Sequence, residues 1–470
     1  MSRINAHHAL KILNGRYHPA DLLAAESFEL SITIDSEKSA NSYIKVYCPT
    51  SLSKTGQMRT PIPDYLTEIL DSVRDIKDGE VADYIPALKD ADPNLLGIAM
   101  TTAEGHTYSA GDVEAEFSIQ SMSKPFAYAA TLTDRGIDFV ETKIDVEPSG
   151  DAFNDLSIEE DTKRPKNAMI NAGAILAHQM LIGEDATMQE RVDRVTDFFS
   201  ALAGRKLTMD KEVFQSEMDH SHRNLAFAHM LTSYGMMEGK AHEAVAGYTA
   251  QCSILVNVQD IAMMSATLAT GGVHPVTGER VIKRSVVRHV LSVMASSGMY
   301  DSAGEWFTDV GIPAKSGVAG GILGAIPGQL GVGVFSPLLD SHGNSVRGVE
   351  VFKRMSSDMS MHMMEVDGVV SRSVRTLNTG DDTSIVTLQG SFTFNAAESL
   401  LYRLENEKLS SKVVFDVSRV ERFTGVGRRM TLEAMRRLCA EGKQVGLADP
   451  EGVLPKPDMG DGTYPFEYCG

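Results

Sequence analysis

A serine and a lysine spaced like a catalytic pair occur in the stretch Phe117-Ser-Ile-Gln-Ser-Met-Ser-Lys124. The pattern predicts a short strand that ends near Ile119 and then a buried helix, with Ser121 on the first helical turn. Lys124 comes three residues later, so its side chain shares a helix face with the Ser121 hydroxyl. A desolvated lysine can take the proton of a serine, and free N–H groups of the first turn can stabilise an oxyanion. We therefore predict Ser121 as a nucleophile and Lys124 as its base.

The same Ser-x-x-Lys spacing occurs twice more, so the tetrapeptide alone does not decide. Residues 42–45 lie in an alternating run that predicts a strand, where an odd spacing places two side chains on opposite faces. Residues 51–54 lie in a loop rich in Pro, Ser and Thr. A serine helix cap beside a solvated lysine is the more common meaning of such a pattern. The surrounding strand, turn and helix favour Ser121 over the other two serines.

The composition is that of an acidic globular protein. The 470 residues exceed one typical domain, and 43% hydrophobic with 23% charged residues provide for a large core. A formal net charge of -19 argues against nucleic acid or an anionic membrane surface as the main partner. The four cysteines are scattered without a Cys-x-x-Cys pair, so neither a zinc site nor a disulfide framework is expected. With no secretory signal and no bilayer-spanning apolar run, we predict a cytoplasmic protein.

Changes in composition and hydrophobic pattern along the chain predict four segments. Residues 1–60 form an N-terminal segment to which no chemistry is assigned, and residues 61–366 form a larger domain. Helices between an early and a late set of antiparallel strands predict that this domain is an α/β sandwich of helices and antiparallel sheet. The polar residues 367–382 are predicted to be a linker, and residues 383–465 a small domain of alternating strands and helices.

Blocks of sequence in the larger domain have a recognisable order. They are Val-Ala-Asp-Tyr-Ile-Pro at 81–86, Gln-Ser-Met-Ser-Lys-Pro at 120–125, Glu-Pro-Ser-Gly at 147–150, Asn-Ala-Gly-Ala-Ile at 171–175, Arg-Asn-Leu-Ala at 223–226, Ser-Gly-Met-Tyr-Asp at 297–301 and Ala-Lys-Ser-Gly-Val-Ala-Gly-Gly-Ile at 314–322. Together they resemble the serine-dependent glutaminase family, whose catalytic domain is similar to β-lactamases and penicillin-binding proteins. The resemblance implies that architecture, and hydrolysis of L-glutamine to L-glutamate and ammonia through a serine acyl-enzyme.

Two other functions remain open beside this one. The first is an amino-acid-sensing regulatory protein with a glutaminase-like domain. The second is a penicillin-interacting acyltransferase or a β-lactamase, for which a Ser-Asp-Asn element should occur between Ser121 and Lys315. No such element is present in the sequence.

The resemblance also assigns roles to residues that would otherwise be caps, core aromatics or solvated charges. It implies that Ser121 is the nucleophile, Lys124 the general base, and Tyr300 or Tyr248 a relay that carries the proton to ammonia. The backbone N–H groups of Ser121 and Val318 would form the oxyanion hole. The implied substrate-binding set is Tyr84, Gln120, Ser121, Asn171, Glu217, Asn224, Tyr248, Tyr300 and Val318.

Within that set, Glu217 is expected to face the substrate ammonium, because a small zwitterion in a closed pocket needs its charges paired. No metal ion or organic cofactor is expected. The pair His220-Ser-His222 lacks a third ligand at suitable spacing, so an exposed loop is the better interpretation. The family implies a homodimer or homotetramer, and the sequence leaves open whether phosphate activates it.

The small domain at residues 383–465 resembles a STAS domain, the type found in sulfate transporters and anti-sigma factor antagonists. The similarity lies in the runs Ile-Val-Thr-Leu-Gln-Gly-Ser-Phe and Val-Val-Phe-Asp-Val-Ser-Arg-Val. Phosphorylated members carry a modified serine in an Asp-Ser-Ser-Gly-like turn, where this chain has Thr424-Gly-Val-Gly427 with Val426 at the serine position. The resemblance therefore implies docking of a protein partner or a contact within an oligomer.

Overall fold

The structure is a computed structural model that describes residues 62–150, 157–359, 361–364, 373–392 and 394–468. The chain divides into two compact units, with the boundary after Asp358. The predicted N-terminal segment at residues 1–60 lies outside the described residues. None of the described helices combines the length and the apolar character needed to cross a membrane.

The larger unit has a five-stranded main sheet with helices on both of its faces, and a separate two-stranded sheet of β3 and β4. Its strands are β1 (Gly97–Thr102), β2 (Thr107–Gly111), β3 (Phe117–Ser118), β4 (Leu255–Val256), β5 (Ala314–Gly317), β6 (Gly321–Ile326) and β7 (Leu330–Phe335). Its helices are α1 (Ile62–Val73), α2 (Pro86–Lys89), α3 (Ser123–Arg135), α4 (Ile137–Glu141), α5 (Asn171–Met180), α6 (Met188–Ala203), α7 (Lys211–Asp219), α8 (His222–Ser233), α9 (Ala241–Cys252), α10 (Val258–Ala269), α11 (Arg284–Ser297), α12 (Ala303–Asp309) and α13 (Val346–Asp358).

The main sheet joins early and late parts of the chain, as the sequence predicts. Its strand order is β2-β1-β7-β6-β5, and every neighbouring pair is antiparallel. All residues of β6 and β7 are buried, because both faces of the sheet are covered. Glycines permit the close approach: a Cβ at Gly333 would lie 2.5 Å from the Val258 carbonyl oxygen of α10, and one at Gly324 would lie 2.5 Å from the Phe352 ring of α13.

Beside the sheet, α3, α5 and α9 pack closely through small residues. A Cβ at Gly173 of α5 would lie 1.9 Å from the Asn167 carbonyl oxygen, and one at Gly247 of α9 would lie 2.4 Å from the His178 ring. Residues 123–132 of α3 are all buried. This helical layer brings the first turn of α3 against the facing sides of α5 and α9.

The smaller unit is a five-stranded sheet with two helices. Its elements are β8 (Val374–Thr379), β9 (Thr383–Phe392), α14 (Phe394–Asn406), β10 (Lys412–Phe423), α15 (Gly425–Ala440), β11 (Gln444–Ala448) and β12 (Phe466–Glu467). The strand order is β12-β11-β10-β9-β8, in which β8 alone runs antiparallel to its neighbour. The predicted alternation of strands and helices is therefore confirmed.

The predicted linker at residues 367–382 is wrong over part of its length, because Val374–Thr379 forms the edge strand β8. The edge position explains the error. Val374 is buried and Leu377 packs against the core, whereas the other side chains of this strand are more exposed and polar. A strand with one apolar face and a solvated edge has the composition of a linker.

Candidate active site

Ser121 lies in a turn between the short strand β3 and helix α3. The turn is a 3₁₀ helix, Gln120–Met122, so Ser121 lies just before α3 and not on its first turn. The preceding residue, Gln120, has φ +50°, a left-handed conformation that strains a residue with a Cβ. The Ile119 N–H donates to the Ile254 carbonyl at 2.8 Å, which ties the turn to β4. Strand, turn and helix thus surround Ser121 as predicted.

Lys124, the second residue of α3, is almost completely buried, with 1% of its surface exposed. Its Nζ donates a hydrogen bond to Asn171 Oδ1 at 2.7 Å. Burial lowers the pKa of Lys124 from its usual 10.5 to about 8, although the nearby Cys252 thiol acts in the opposite direction. A lysine in this state provides a substantial fraction of free amine near neutral pH, as a general base requires.

Asn171 connects Lys124 to two further predicted residues. It is the first residue of α5, and its side chain does not cap that helix. Asn171 Nδ2 donates to Asn224 Oδ1 at 3.1 Å, while the Tyr248 hydroxyl donates to Asn171 Oδ1 at 3.4 Å. Burial raises the pKa of Tyr248 well above its usual value, so its phenol stays protonated.

Tyr300 reaches the same place from the other side. Its hydroxyl donates to the Ser316 carbonyl oxygen at 3.1 Å, and the nearby Ser121 side chain acts to lower the phenol pKa. Its backbone has φ +56°, a second strained conformation at the site. The Lys315 Nζ lies 3.9 Å from the centre of the Tyr300 ring and donates to the same Ser316 carbonyl at 2.9 Å. Burial raises the pKa of Tyr300 and lowers that of Lys315 well below 10.5.

Strand β5 ends against the turn that carries Ser121. A Cβ at Gly317 would lie 3.1 Å from the Ile119 carbonyl oxygen and 3.5 Å from the Gln120 Cβ. Val318 follows directly and lines the same cavity as Ser121. The backbone of residues 317–318 therefore runs beside the turn that carries Ser121.

A carboxylate forms another part of the wall. Glu217, on α7, accepts a hydrogen bond from the Tyr84 hydroxyl at 2.9 Å. Burial raises the pKa of Glu217, whereas hydrogen bonds from Tyr84 and Gln120 act against the rise. The Tyr84 ring itself is half exposed. Gln120 Nε2 also donates to Ser118 Oγ at 3.2 Å, which ties the side chain of the strained residue to β3.

These side chains surround one cavity of about 180 Å³, smaller than the 300–1,000 Å³ typical of sites for drug-sized ligands. Eight predicted residues line it: Tyr84, Gln120, Ser121, Asn171, Glu217, Asn224, Tyr248 and Val318. The other two, Lys124 and Tyr300, contact lining residues. All ten predicted residues are thus brought together.

Sequence reasoning missed part of the lining, namely His220, Ser221, Arg223, Thr249 and Cys252. Arg223 and Thr249 are the chain neighbours of Asn224 and Tyr248, but nothing in their spacing indicated a role. Burial raises the pKa of Cys252 to about 11, so this thiol is a poor nucleophile. His220 and His222 are exposed at the junction of α7 and α8, and the described residues contain no cluster of three or more His, Cys, Asp or Glu suited to a metal.

Comparison with known proteins identifies the family of this chain. The family model for glutaminase matches residues 79–364. Glutaminase of Corynebacterium efficiens is 50% identical over 410 residues, which cover 87% of this chain and 97% of the relative. Glutaminase of Corynebacterium glutamicum is 50% identical over 404 residues, covering 86% and 98%. The crystal structure of Mglu in its tris and glutamate form has a TM-score of 0.78 and 46% identity, covering 85% of this chain and 100% of that one. This chain therefore belongs to the glutaminase family.

Proposed function

We propose that this protein hydrolyses L-glutamine to L-glutamate and ammonia through a glutamyl ester on Ser121. Family membership supports the activity. The observation that carries the mechanism is one small cavity lined by both Ser121 and Glu217, with the buried Lys124 directly behind it. Ser121 with its base Lys124 matches the side-chain amide of glutamine. The Glu217 carboxylate matches the α-ammonium group at the other end.

Recognition of the amino-acid end falls to Glu217 and its neighbours. The Glu217 carboxylate accepts hydrogen bonds from the substrate α-ammonium, and this cation offsets the cost of its burial. Tyr84, Asn171 and Asn224 supply donors for the α-carboxylate and the side-chain amide. Because the cavity is only about 180 Å³, it limits the substrate to a molecule of amino-acid size.

Acylation begins when Ser121 Oγ attacks the side-chain amide carbon and the free amine of Lys124 takes up the hydroxyl proton. The carbonyl oxygen becomes an oxyanion, which accepts hydrogen bonds from the N–H groups of Ser121 and Val318. The proton then passes to the amide nitrogen, the C–N bond breaks, and ammonia leaves. Water attacks the ester by the reverse sequence of proton transfers, releases glutamate and restores Ser121.

Of the two candidate relays, the contacts favour Tyr300. The Ser121 side chain is close enough to the Tyr300 hydroxyl to lower its pKa, whereas the Tyr248 hydroxyl is linked to Lys124 through Asn171 Oδ1. Tyr300 is thus adjacent to the atom that loses the first proton. Tyr248 acts indirectly: its hydroxyl donates to Asn171 and holds that side chain in place.

The remaining proposals concern architecture and setting. The central antiparallel sheet, with the nucleophile turn beside β5, supports a β-lactamase/penicillin-binding-protein-like architecture for the larger unit. The mixed sheet of β8–β12 supports a STAS-like smaller unit, in which Thr424 caps α15. We propose that this unit contacts a partner protein or another subunit of a homodimer or homotetramer. The free thiols of Cys252 and Cys439 fit a reducing cytoplasm.

The test is a coupled assay for ammonia released from glutamine by purified protein. Wild type is expected to turn over, and Ser121→Ala to lose turnover while it retains its fold and binds glutamine. Ser51→Ala is the matched control, because Ser51 heads the same tetrapeptide pattern elsewhere and should leave activity unchanged. A wild type that binds glutamine without releasing ammonia would instead identify a sensor.

A further inference from the structure

Behind the cavity, a second line of buried polar groups joins α5, α9 and the start of α3. His178 Nδ1 lies 2.9 Å from Gln251 Oε1, and Gln251 Nε2 donates to Ser123 Oγ at 2.9 Å. Ser123 Oγ in turn lies 3.8 Å from the Cys252 sulfur. His178, Gln251 and Ser123 are each at most 1% exposed. None of the three takes part in the chemistry proposed above.

These groups donate in a single direction. Because the Gln251 amide nitrogen faces Ser123, its oxygen faces His178, so the histidine must donate from Nδ1. Burial lowers the pKa of His178 to about 4, which keeps the ring neutral with one proton to give. Ser123 accepts from Gln251 and is left with its own proton for the Cys252 sulfur in the cavity wall.

The line passes through Ser123, one of the two residues between the nucleophile and its base. Ser123 lies between Ser121 and Lys124 in the chain, and its N–H donates to the carbonyls of Gln120 and Ser121. Holding the Ser123 side chain in place therefore holds the turn that carries Ser121 and the start of α3 that carries Lys124.

The same helices also carry the outer network of the site. On α5, His178 lies seven residues after Asn171 and so on the same face. On α9, Gln251 lies three residues after Tyr248. The inner line from His178 to Ser123 thus sets the spacing at which Lys124 and Asn171 meet.

Stability alone does not account for a histidine at this position. In the described part of the chain, His178 Nε2 has no hydrogen-bond partner, and it faces Gly247, where a Cβ would lie 2.4 Å away. An apolar side chain would fill the space without leaving a buried nitrogen unpaired. The ring is therefore suited to orienting the Gln251 amide.

We propose that Gln251, oriented by His178, is a positioning residue: it holds Ser123 and so sets the geometry of Ser121 and Lys124 relative to α5 and α9. The inference rests on the proposed function and adds residues that do not touch the substrate. Misplacement of a reacting group by about 1 Å can cost on the order of 100-fold in rate, so loss of the line should appear in kcat. Glu217 and Tyr84, which hold the ammonium end of the substrate, lie outside α3, α5 and α9, so KM should change less than kcat.

Gln251→Leu removes the line at its centre. We expect kcat for glutamine to fall by about 10- to 100-fold, with KM within about 3-fold of wild type. Gln259→Leu is the matched control: Gln259 Nε2 donates to Ser109 Oγ at 3.2 Å in the same unit, and it does not line the cavity. This control should leave kcat unchanged. Ser123→Ala, a smaller change, gives the same expected loss of kcat should Gln251→Leu fail to fold.

Two histidine variants separate orientation from packing. His178→Asn keeps an N–H donor near the place of Nδ1 and should restore kcat to within about 3-fold of wild type. His178→Leu fills the space without a donor and should behave like Gln251→Leu. Folded Gln251→Leu or Ser123→Ala protein with wild-type kcat overturns the inference, as does equal activity of the two His178 variants. An inactive wild type overturns the proposed function, and the inference with it.

Discussion

Replacing Asn171 by aspartate changes the charge beside Lys124 with almost no change in shape. Asn171 Oδ1 lies 2.7 Å from Lys124 Nζ, so the substitution places a carboxylate oxygen against the ammonium. The base acts as a free amine, and a neighbouring negative charge stabilises its protonated form. Asn171→Asp should therefore raise the pKa of Lys124 and make the enzyme need a higher pH.

The magnitude follows from the pKa of Lys124, which burial lowers to about 8. At pH 7 roughly one-tenth of such lysines are free amines, against about one in 3,000 at the usual pKa of 10.5. An opposite charge at this distance shifts a pKa by about 1–3 units. In Asn171→Asp, the rising limb of kcat/KM against pH should move from about 8 to about 9–11, with a loss at pH 7 of about 10- to 1,000-fold.

The assay is ammonia release at low glutamine concentration across the pH range, which reports titrations of the free enzyme. Asn171→Ala is the control for lost contacts: it removes the same amide without adding charge. In this variant, kcat/KM should fall at every pH, but the limb should stay near the wild-type position. An Asn171→Asp limb that also stays in place would refute Lys124 as the titrating base.

Three further changes probe the rest of the account. Lys315→Met replaces a buried amine by an apolar side chain, so the free energy of unfolding should increase by about 0.5–2 kcal/mol. Because Lys315 contacts the Tyr300 ring, kcat should fall at the same time, and thermal unfolding and turnover assays check both changes; a destabilised variant would contradict this. Tyr300→Phe should lower kcat by about 100-fold or more and Tyr248→Phe by less, because the Tyr300 hydroxyl lies beside Ser121 whereas the Tyr248 hydroxyl contacts Asn171. The reverse order would assign the relay to Tyr248. A truncated protein that ends at residue 364, where the family match ends, tests the smaller unit. If this unit only docks a partner or supports assembly, kcat should stay within about 3-fold of full length. A folded, correctly assembled but inactive truncation would show that the units are not separable.

The local sequence pattern predicts a strand or hairpin where apolar runs and turn residues alone determine the structure. The residues Ala103-Glu-Gly105 between two strand-like runs predict the hairpin of β1 and β2, and the glycine-punctuated apolar runs 321–325 and 330–335 predict β6 and β7. Helix α9 was missed, because nearly all its residues are buried and an evenly buried helix shows no amphipathic period.

The candidate site divides in the same way. Residue types and the blocks of family sequence were enough to name the ten side chains that meet at the cavity. They were also enough to select Ser121 among the serines of three Ser-x-x-Lys tetrapeptides. The left-handed backbones of Gln120 and Tyr300 could not be predicted, since packing around the site imposes them against the local preference of both residues. Nor could the line through Gln251, whose partners lie 73 and 128 residues away in the chain.

The central claim is that the glutamyl group is carried by Ser121, and trapping that intermediate tests it most directly. Protein mixed with isotopically labelled glutamine is quenched in acid during turnover, digested and mapped by mass spectrometry. The account predicts label on the peptide that contains Ser121, and none in Ser121→Ala protein. The rival nucleophile in the cavity wall is Cys252, whose thiol burial keeps protonated by raising its pKa to about 11. Label on the Cys252 peptide, or labelled Ser121→Ala protein, would contradict the mechanism.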